Sequence, residues 1–132
     1  MYLLTVHDHF EAAHRLYGYE GKCARLHGHT WRVDATVGGQ QLDQRGMLLD
    51  FADVKQMLRR VTADFDHQYL NELEPFLSEP GRQTNPTAEN LAAFIFQRLE
   101  AMLSGSPGDA KLVEVRIWES DSASATVRRE PD

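Results

Sequence analysis

His27-Gly28-His29 sets two imidazoles one residue apart. In an extended strand, side chains two positions apart leave the same face, so both rings point one way. His14 ends an earlier alternating run: Tyr2, Leu4, Val6, Asp8, Phe10 and Ala12 share its parity, and all but Asp8 are apolar. If the two segments are neighbouring strands, three imidazoles converge at one end of a sheet. Three neutral imidazoles, with no acidic or thiolate fourth donor in the pattern, suit a zinc ion that keeps an open position. Such an ion raises the acidity of a bound hydroxyl or water. A closed structural site would draw on several cysteines, and the chain has one. The alternative is a group of core or rim histidines satisfied by ordinary hydrogen bonds; matched parity in three of them favours the metal. His7 and His9 fall on the opposite parity and read as surface residues.

Three further groups could carry chemistry. Cys23 lies four residues before His27, flanked by Lys22 and Arg25. Nearby positive charge raises the thiolate fraction, as a base or nucleophile needs; a buried, inert thiol is the equal alternative. Asp66-His67 could form an oriented proton-transfer pair, although a histidine after a helix is also common for reasons of the helix dipole. Glu119 continues the parity of Val113, Val115 and Ile117. A carboxylate on an apolar strand face needs a partner, either a protein donor or a ligand presenting paired N–H groups; otherwise the strand has ended and Glu119 is solvated.

These residues need elements to position them. Alternation predicts a strand over about Tyr2–His14 and a second over about His27–Val37, closed by Gly38-Gly39, with a long loop between. Asp50 offers an N-cap to a helix whose stripe is Phe51, Val54, Leu58, Val61 and Phe65. A second helix starts near Asn85-Pro86-Thr87, with the proline in its first turn, and buries Leu91, Ile95, Leu99 and Met102. A third strand carries Val113 to Glu119, and Ala125 and Val127 suggest a fourth. Glu79–Pro86 and Ser104–Asp109 read as connections. The order strand, strand, helix, helix, strand, strand predicts an α+β fold, with two helices on one face of a four-stranded antiparallel sheet.

The 132 residues fit one domain over 1–132. Fourteen Lys+Arg against twenty Asp+Glu give a net charge of −6, which argues against a generic nucleic-acid or acidic-membrane binder. No apolar run approaches the roughly 20 residues a bilayer span needs. The N-terminus lacks a basic start and a clean apolar stretch, so no signal peptide is expected. A lone cysteine excludes an intrachain disulfide framework and points to a cytoplasmic setting.

Taken together, Phe10-Glu11-Ala12-Ala13-His14, Cys23-Ala24-Arg25-Leu26-His27-Gly28-His29, Leu49-Asp50-Phe51, Asp66-His67 with Leu70-Asn71, Pro86-Thr87-Ala88-Glu89-Asn90 and Glu119 resemble the 6-pyruvoyltetrahydropterin synthase family over nearly the whole chain. The short C-x-x-x-H-G-H spacing is similar to the branch that makes 6-carboxytetrahydropterin for queuosine biosynthesis. The resemblance implies the tunnelling fold (T-fold). It implies zinc on His14, His27 and His29, Cys23 as catalytic thiol, Asp66 and His67 as proton-transfer pair, Glu119 as pterin anchor and Thr87 along the pterin pocket. It also implies a pterin triphosphate substrate, 7,8-dihydroneopterin triphosphate, and a homohexamer of two stacked trimers with active sites between subunits. Lys22, Arg25 and Arg15 are candidates for the triphosphate. A pyruvoyl-forming enzyme, a non-catalytic zinc- or pterin-binding module and an unrelated zinc hydrolase are the other readings.

Overall fold

The structure, a computed structural model, describes residues 1–77 and 84–131. Part of the connection expected over Glu79–Pro86, residues 79–83, lies outside the described residues. Strand β1 (Tyr2–His14) pairs antiparallel with β2 (His27–Gly39), and β2 with β4 (Lys111–Ser120), which pairs with β5 (Ala123–Arg128). Helices α1 (Phe51–Thr62) and α2 (Ala88–Leu103) pack on one face. The apolar core lies between, with Phe10, Trp31, Val33, Leu58, Phe65, Leu91, Ile95 and Ile117 essentially without solvent contact.

The expected four-stranded antiparallel sheet is corrected to a mixed five-stranded one, in the order β3-β1-β2-β4-β5. The added strand, β3 (Gln68–Tyr69), runs parallel to β1 and pairs with Ala12 and Ala13. Two residues are too few to show a period, so alternation could not reveal it. Beyond that pairing, β1 has no neighbour on its outer side among the described residues, and β5 forms the other edge.

Local chemistry explains the helix starts. Asp50 Oδ1 accepts from the Ala52 N–H at 2.8 Å, and the Thr87 hydroxyl accepts from the Asn90 N–H at 3.1 Å. Each satisfies one of the N–H groups that a helix start leaves without a partner. Pro86 therefore precedes the cap instead of occupying the first turn. On α1 the stripe holds at Val54, Leu58 and Val61, while Phe51 is exposed and Phe65 is buried beyond the helix end. On α2, Met102 is only half-buried and Leu103 takes the core position.

Gly38-Gly39 closes β2 as its last two residues, still paired with Leu3 and Tyr2. A Cβ on Gly38 would fall 2.8 Å from Met1 and Val113 side-chain atoms, and one on Gly39 would fall 2.6 Å from Leu48, so a larger residue there would make those side chains shift. A bulge between Thr36 and Val37 shifts the pairing, so Leu112 rather than Val113 is buried at the start of β4.

Candidate metal centre and surrounding groups

The β1–β2 register places His14 opposite His27, and Ala12 opposite His29. All three imidazoles thus leave the inner face at one end of the sheet. Their ring centroids are 4.5 Å (His14–His27), 5.2 Å (His14–His29) and 4.8 Å (His27–His29) apart, with the rings steeply inclined to one another. Trp31 forms the floor, edge-on to His14 and His29 at 5.0 and 5.2 Å. Its indole N–H donates to the Ala12 carbonyl at 3.2 Å, so the floor is itself anchored.

The hydrogen bonds determine which nitrogen faces inward. His14 Nδ1 lies 2.7 Å from the Pro86 carbonyl, and His27 Nδ1 lies 2.6 Å from the Arg25 carbonyl. A carbonyl only accepts, so both Nδ1 atoms carry the proton and both Nε2 atoms keep a lone pair. Backbone carbonyls commonly fix metal-binding histidines in this way. His14 Nε2 and His29 Nε2 are buried without a hydrogen-bond partner among the described residues. Leaving such a group unpaired costs roughly 1–3 kcal/mol, and two beside each other point to an absent ligand for both. Burial holds His14 and His29 below the ordinary histidine range, against the opposing pull of the Pro86 carbonyl on His14 and of Glu119 on His29. Both rings therefore stay neutral, as ligands must.

Glu119 joins this group. Its Oε1 lies 3.1 Å from His29 Nε2, and one donor atom from each of His14, His27, His29 and Glu119 lies within 4.8 Å of the others. The sequence pattern contained no acidic fourth donor. The carboxylate arrives from β4 through the β2–β4 register, in which Val33 faces Ile117 and Arg32 faces Trp118. A cleft lined by Asp43, Asp53, Met57 and Met102 offers no imidazole or thiol; donor chemistry, not concavity, selects the site.

The other candidates lie around the group rather than in it. Cys23 is half-buried in a 3-10 turn, Lys22–Ala24, and is not one of the clustered donors. Its loop is held indirectly. The Leu16 N–H donates to the Cys23 carbonyl at 2.8 Å. On either side, Asn71 exchanges two bonds with the Arg15 backbone (3.0 and 2.9 Å), and Asn85 does the same with Tyr17 (2.7 and 3.0 Å). Each side-chain amide imitates a strand neighbour. Sequence reasoning quoted Asn71 without a role and gave Asn85 none; Asn71 is buried and Asn85 half-buried, and nothing in the sequence around either marks the backbone it binds. Thr87 is half-buried and its hydroxyl caps α2.

Asp66 and His67 form a bonded pair at the sheet edge. Asp66 Oδ2 lies 3.0 Å from His67 Nδ1, and Asp66 Oδ1 accepts from the Glu11 N–H at 3.0 Å. The His67 N–H donates to the Glu11 carbonyl at 2.6 Å. His67 adopts a left-handed backbone, φ 58°, a conformation that non-glycine residues hold only where the surroundings enforce it. The imidazole is exposed, and His67 shares a shallow groove with His29, Gly28 and Thr30.

The sequence from residue 3 to residue 130 matches the model of the family described as 6-pyruvoyl tetrahydropterin synthase. The chain belongs to that family. A 6-carboxy-5,6,7,8-tetrahydropterin synthase of Synechocystis is 36% identical over 130 residues, covering 95% of this chain and 92% of the relative. A dihydroneopterin monophosphate aldolase of Pyrococcus furiosus is 33% identical over 112 residues, covering 85% and 84%. Among solved structures, the 6-pyruvoyl tetrahydropterin synthase of Caenorhabditis elegans superposes with a TM-score of 0.79 at 28% identity, covering 98% of each chain. The five-stranded sheet with two helices on one face is therefore the fold of this family.

The bond to Asp66, the largest influence, raises the His67 pKa, and the Asp66 pKa is lowered chiefly by the Glu11 N–H and next by His67. The sign follows for each. What His67 adds to stability is complete below its unfolded pKa and is lost as pH rises through the raised folded one. What Asp66 adds is present above its unfolded pKa and is lost as pH falls through the lowered one. The ion pair therefore spans the interval between. Asp66→Asn is expected to move the His67 titration midpoint down towards that of a free histidine, read from its ring-proton shifts by NMR. An unchanged midpoint would show that Asp66 does not govern the imidazole.

Proposed function

We propose that this chain is a zinc-dependent 6-carboxy-5,6,7,8-tetrahydropterin synthase. It would convert 7,8-dihydroneopterin triphosphate to 6-carboxytetrahydropterin, acetaldehyde and triphosphate, as a step in queuosine biosynthesis. The observation that carries the reading is the pair of buried Nε2 atoms, on His14 and His29, left without a partner beside His27. His14, His27 and His29 would hold the ion. When bound, it supplies Lewis acidity towards the side-chain hydroxyls of the substrate.

The remaining roles belong to the chain's own groups. Glu119 accepts the paired N–H donors of the pterin edge and fixes the ring. Cys23, as thiolate, removes a side-chain proton. Asp66 keeps the His67 ring oriented and protonated, and His67 passes protons as the side chain rearranges and cleaves. Thr87 acts through the start of α2, which borders the pocket. Lys22, Arg25 and Arg15 are exposed and available to the triphosphate.

The exposed Asp66–His67 pair fits a site completed by a neighbouring subunit, and the free outer side of β1 and the edge strand β5 suit sheet-to-sheet assembly into a homohexamer of two trimers. Met1, Tyr2 and Leu3 leave apolar surface exposed near the start of β1. The net charge of −6 suits neither nucleic acid nor an acidic membrane as partner, and no helix among the described residues is long and apolar enough to cross a bilayer. We place the enzyme in the cytoplasm on its lone cysteine.

Likeness to the Caenorhabditis elegans structure supports a second reading, a pyruvoyl-forming synthase using the same groups. Incubation of the purified chain with 7,8-dihydroneopterin triphosphate, with products weighed by mass spectrometry, separates them. The expected result is acetaldehyde with 6-carboxytetrahydropterin. A 6-pyruvoyl product without acetaldehyde would establish the second reading, and an intact substrate would leave a binding module.

A further inference from the structure

Asp8 is the one polar residue among Tyr2, Leu4, Val6, Phe10 and Ala12 on its parity of β1, and neither the core nor the metal centre calls for it. A carboxylate on that face is costly to shield from water unless it is hydrogen-bonded, and an aliphatic side chain would fill the place without that cost. Asp8 is half-buried, and its side chain has one partner among the described residues: Oδ2 accepts from the Thr62 hydroxyl at 2.7 Å. Thr62 is the last residue of α1 and is buried.

The carbonyl of the same Thr62 accepts the Phe65 and Asp66 N–H groups, both at 3.0 Å, and so closes the turn that carries the chain from α1 to His67. The Phe65 ring then packs 5.5 Å from Phe10. Glu11 donates its N–H to Asp66 Oδ1 and accepts the His67 N–H. Asp8, Phe10 and Glu11 of β1 thus hold Thr62, Phe65 and the Asp66–His67 pair in chain order. His67 ends this turn at φ 58°, a backbone kept only where the surroundings over-determine it. The Phe10–Phe65 contact is apolar, and the hydrophobic effect behind it has no direction. The Asp8–Thr62 hydrogen bond is directional, so it sets the point along β1 at which α1 ends.

We propose that Asp8 and Thr62 are positioning residues for the Asp66–His67 pair. Their bond fixes the end of α1 on β1 and, through the turn that Thr62 closes, the place at which the imidazole is presented. Neither residue touches the substrate. The proposal rests on the pterin reading for the reaction in which His67 moves protons; the hold on the turn does not.

Asp8→Val, in the full metal-loaded chain, is the test. Valine continues the apolar stripe, and the Thr62 hydroxyl keeps the Arg59 carbonyl at 3.3 Å, so no buried hydroxyl is orphaned. With 7,8-dihydroneopterin triphosphate, kcat is expected to fall about 10- to 100-fold, as it does when a catalytic group is displaced slightly. KM and metal content should stay at the wild-type level. Hydrogen exchange over residues 63–67 should quicken at least about tenfold, with α2 and β2 unchanged. The His67 ring midpoint should move in the same direction as in Asp66→Asn. Thr62→Val should reproduce all of this and decides the matter if Asp8→Val does not fold; Thr62→Ser, which keeps the hydroxyl, should restore wild-type behaviour. A lowered melting point with kcat, exchange and the His67 midpoint unchanged would mean a purely structural tie and would overturn the proposal, as would wild-type values throughout. Faster exchange over residues 63–67 in a chain whose wild type leaves the pterin triphosphate intact would sink the pterin reading and uphold the tie.

Discussion

Replacing His14 with alanine is expected to strip the site of metal and abolish turnover. Structural zinc binding is worth roughly 10–16 kcal/mol in small domains. Spread over three or four donors, that is about 3–4 kcal/mol each, or roughly a 100- to 1000-fold loss of affinity. His14 should lie at the upper end because its ring does more than donate. It is fully buried, it packs against Trp31, and its Nδ1–H is the partner of the Pro86 carbonyl. The variant would also leave that carbonyl unsatisfied, costing about 1–3 kcal/mol of stability. Metal content by mass spectrometry and a chelator competition read the first effect, and a denaturant melt reads the second. His9→Ala, on the opposite face of the same strand and exposed, is the control and should change neither. A His14→Ala protein that keeps stoichiometric metal would remove the basis of the metal centre.

Cys23→Ala should separate chemistry from binding. Removing a positioned base costs roughly 100- to 10,000-fold in rate. Metal content and pterin affinity should stay at the wild-type level, because the thiol is not among the clustered donors and its loop is secured by the backbone and by Asn71 and Asn85. Single-turnover rates with 7,8-dihydroneopterin triphosphate, beside a binding isotherm for dihydroneopterin, make the comparison. Retained turnover would point instead to a hydrolase working through a metal-bound water. Lost pterin binding would mean that the thiol shapes the pocket.

The parts of the site that announced themselves in the sequence are those governed by strand parity. His14, His27, His29 and Glu119 share one face because period-two alternation carries through β1, β2 and β4. The parts that did not are set by backbone. The carbonyls of Pro86 and Arg25, which decide the histidine tautomers, leave no mark in side-chain type. The Thr36/Val37 bulge exchanged Leu112 for Val113 in the core, and β3 is shorter than any period. Phe51 matched the helical stripe by spacing yet sits in the first turn of α1, exposed. Asp66-His67 was visible as a dipeptide, but its left-handed backbone and its hold on Glu11 depend on a contact between residues far apart in the chain.

Residues 85–87 sit where three separate tasks meet. Asn85 grips Tyr17, the Pro86 carbonyl sets the His14 ring, and Thr87 begins α2. Pro86 contributes an oxygen that every amino acid possesses, so what must be preserved there is position along the chain more than side-chain identity. Inserting or deleting one residue would slip all three tasks out of phase together. At position 86 evolution can therefore vary the letter far more freely than the length of the stretch, while 85 and 87 are bound to an amide and a hydroxyl.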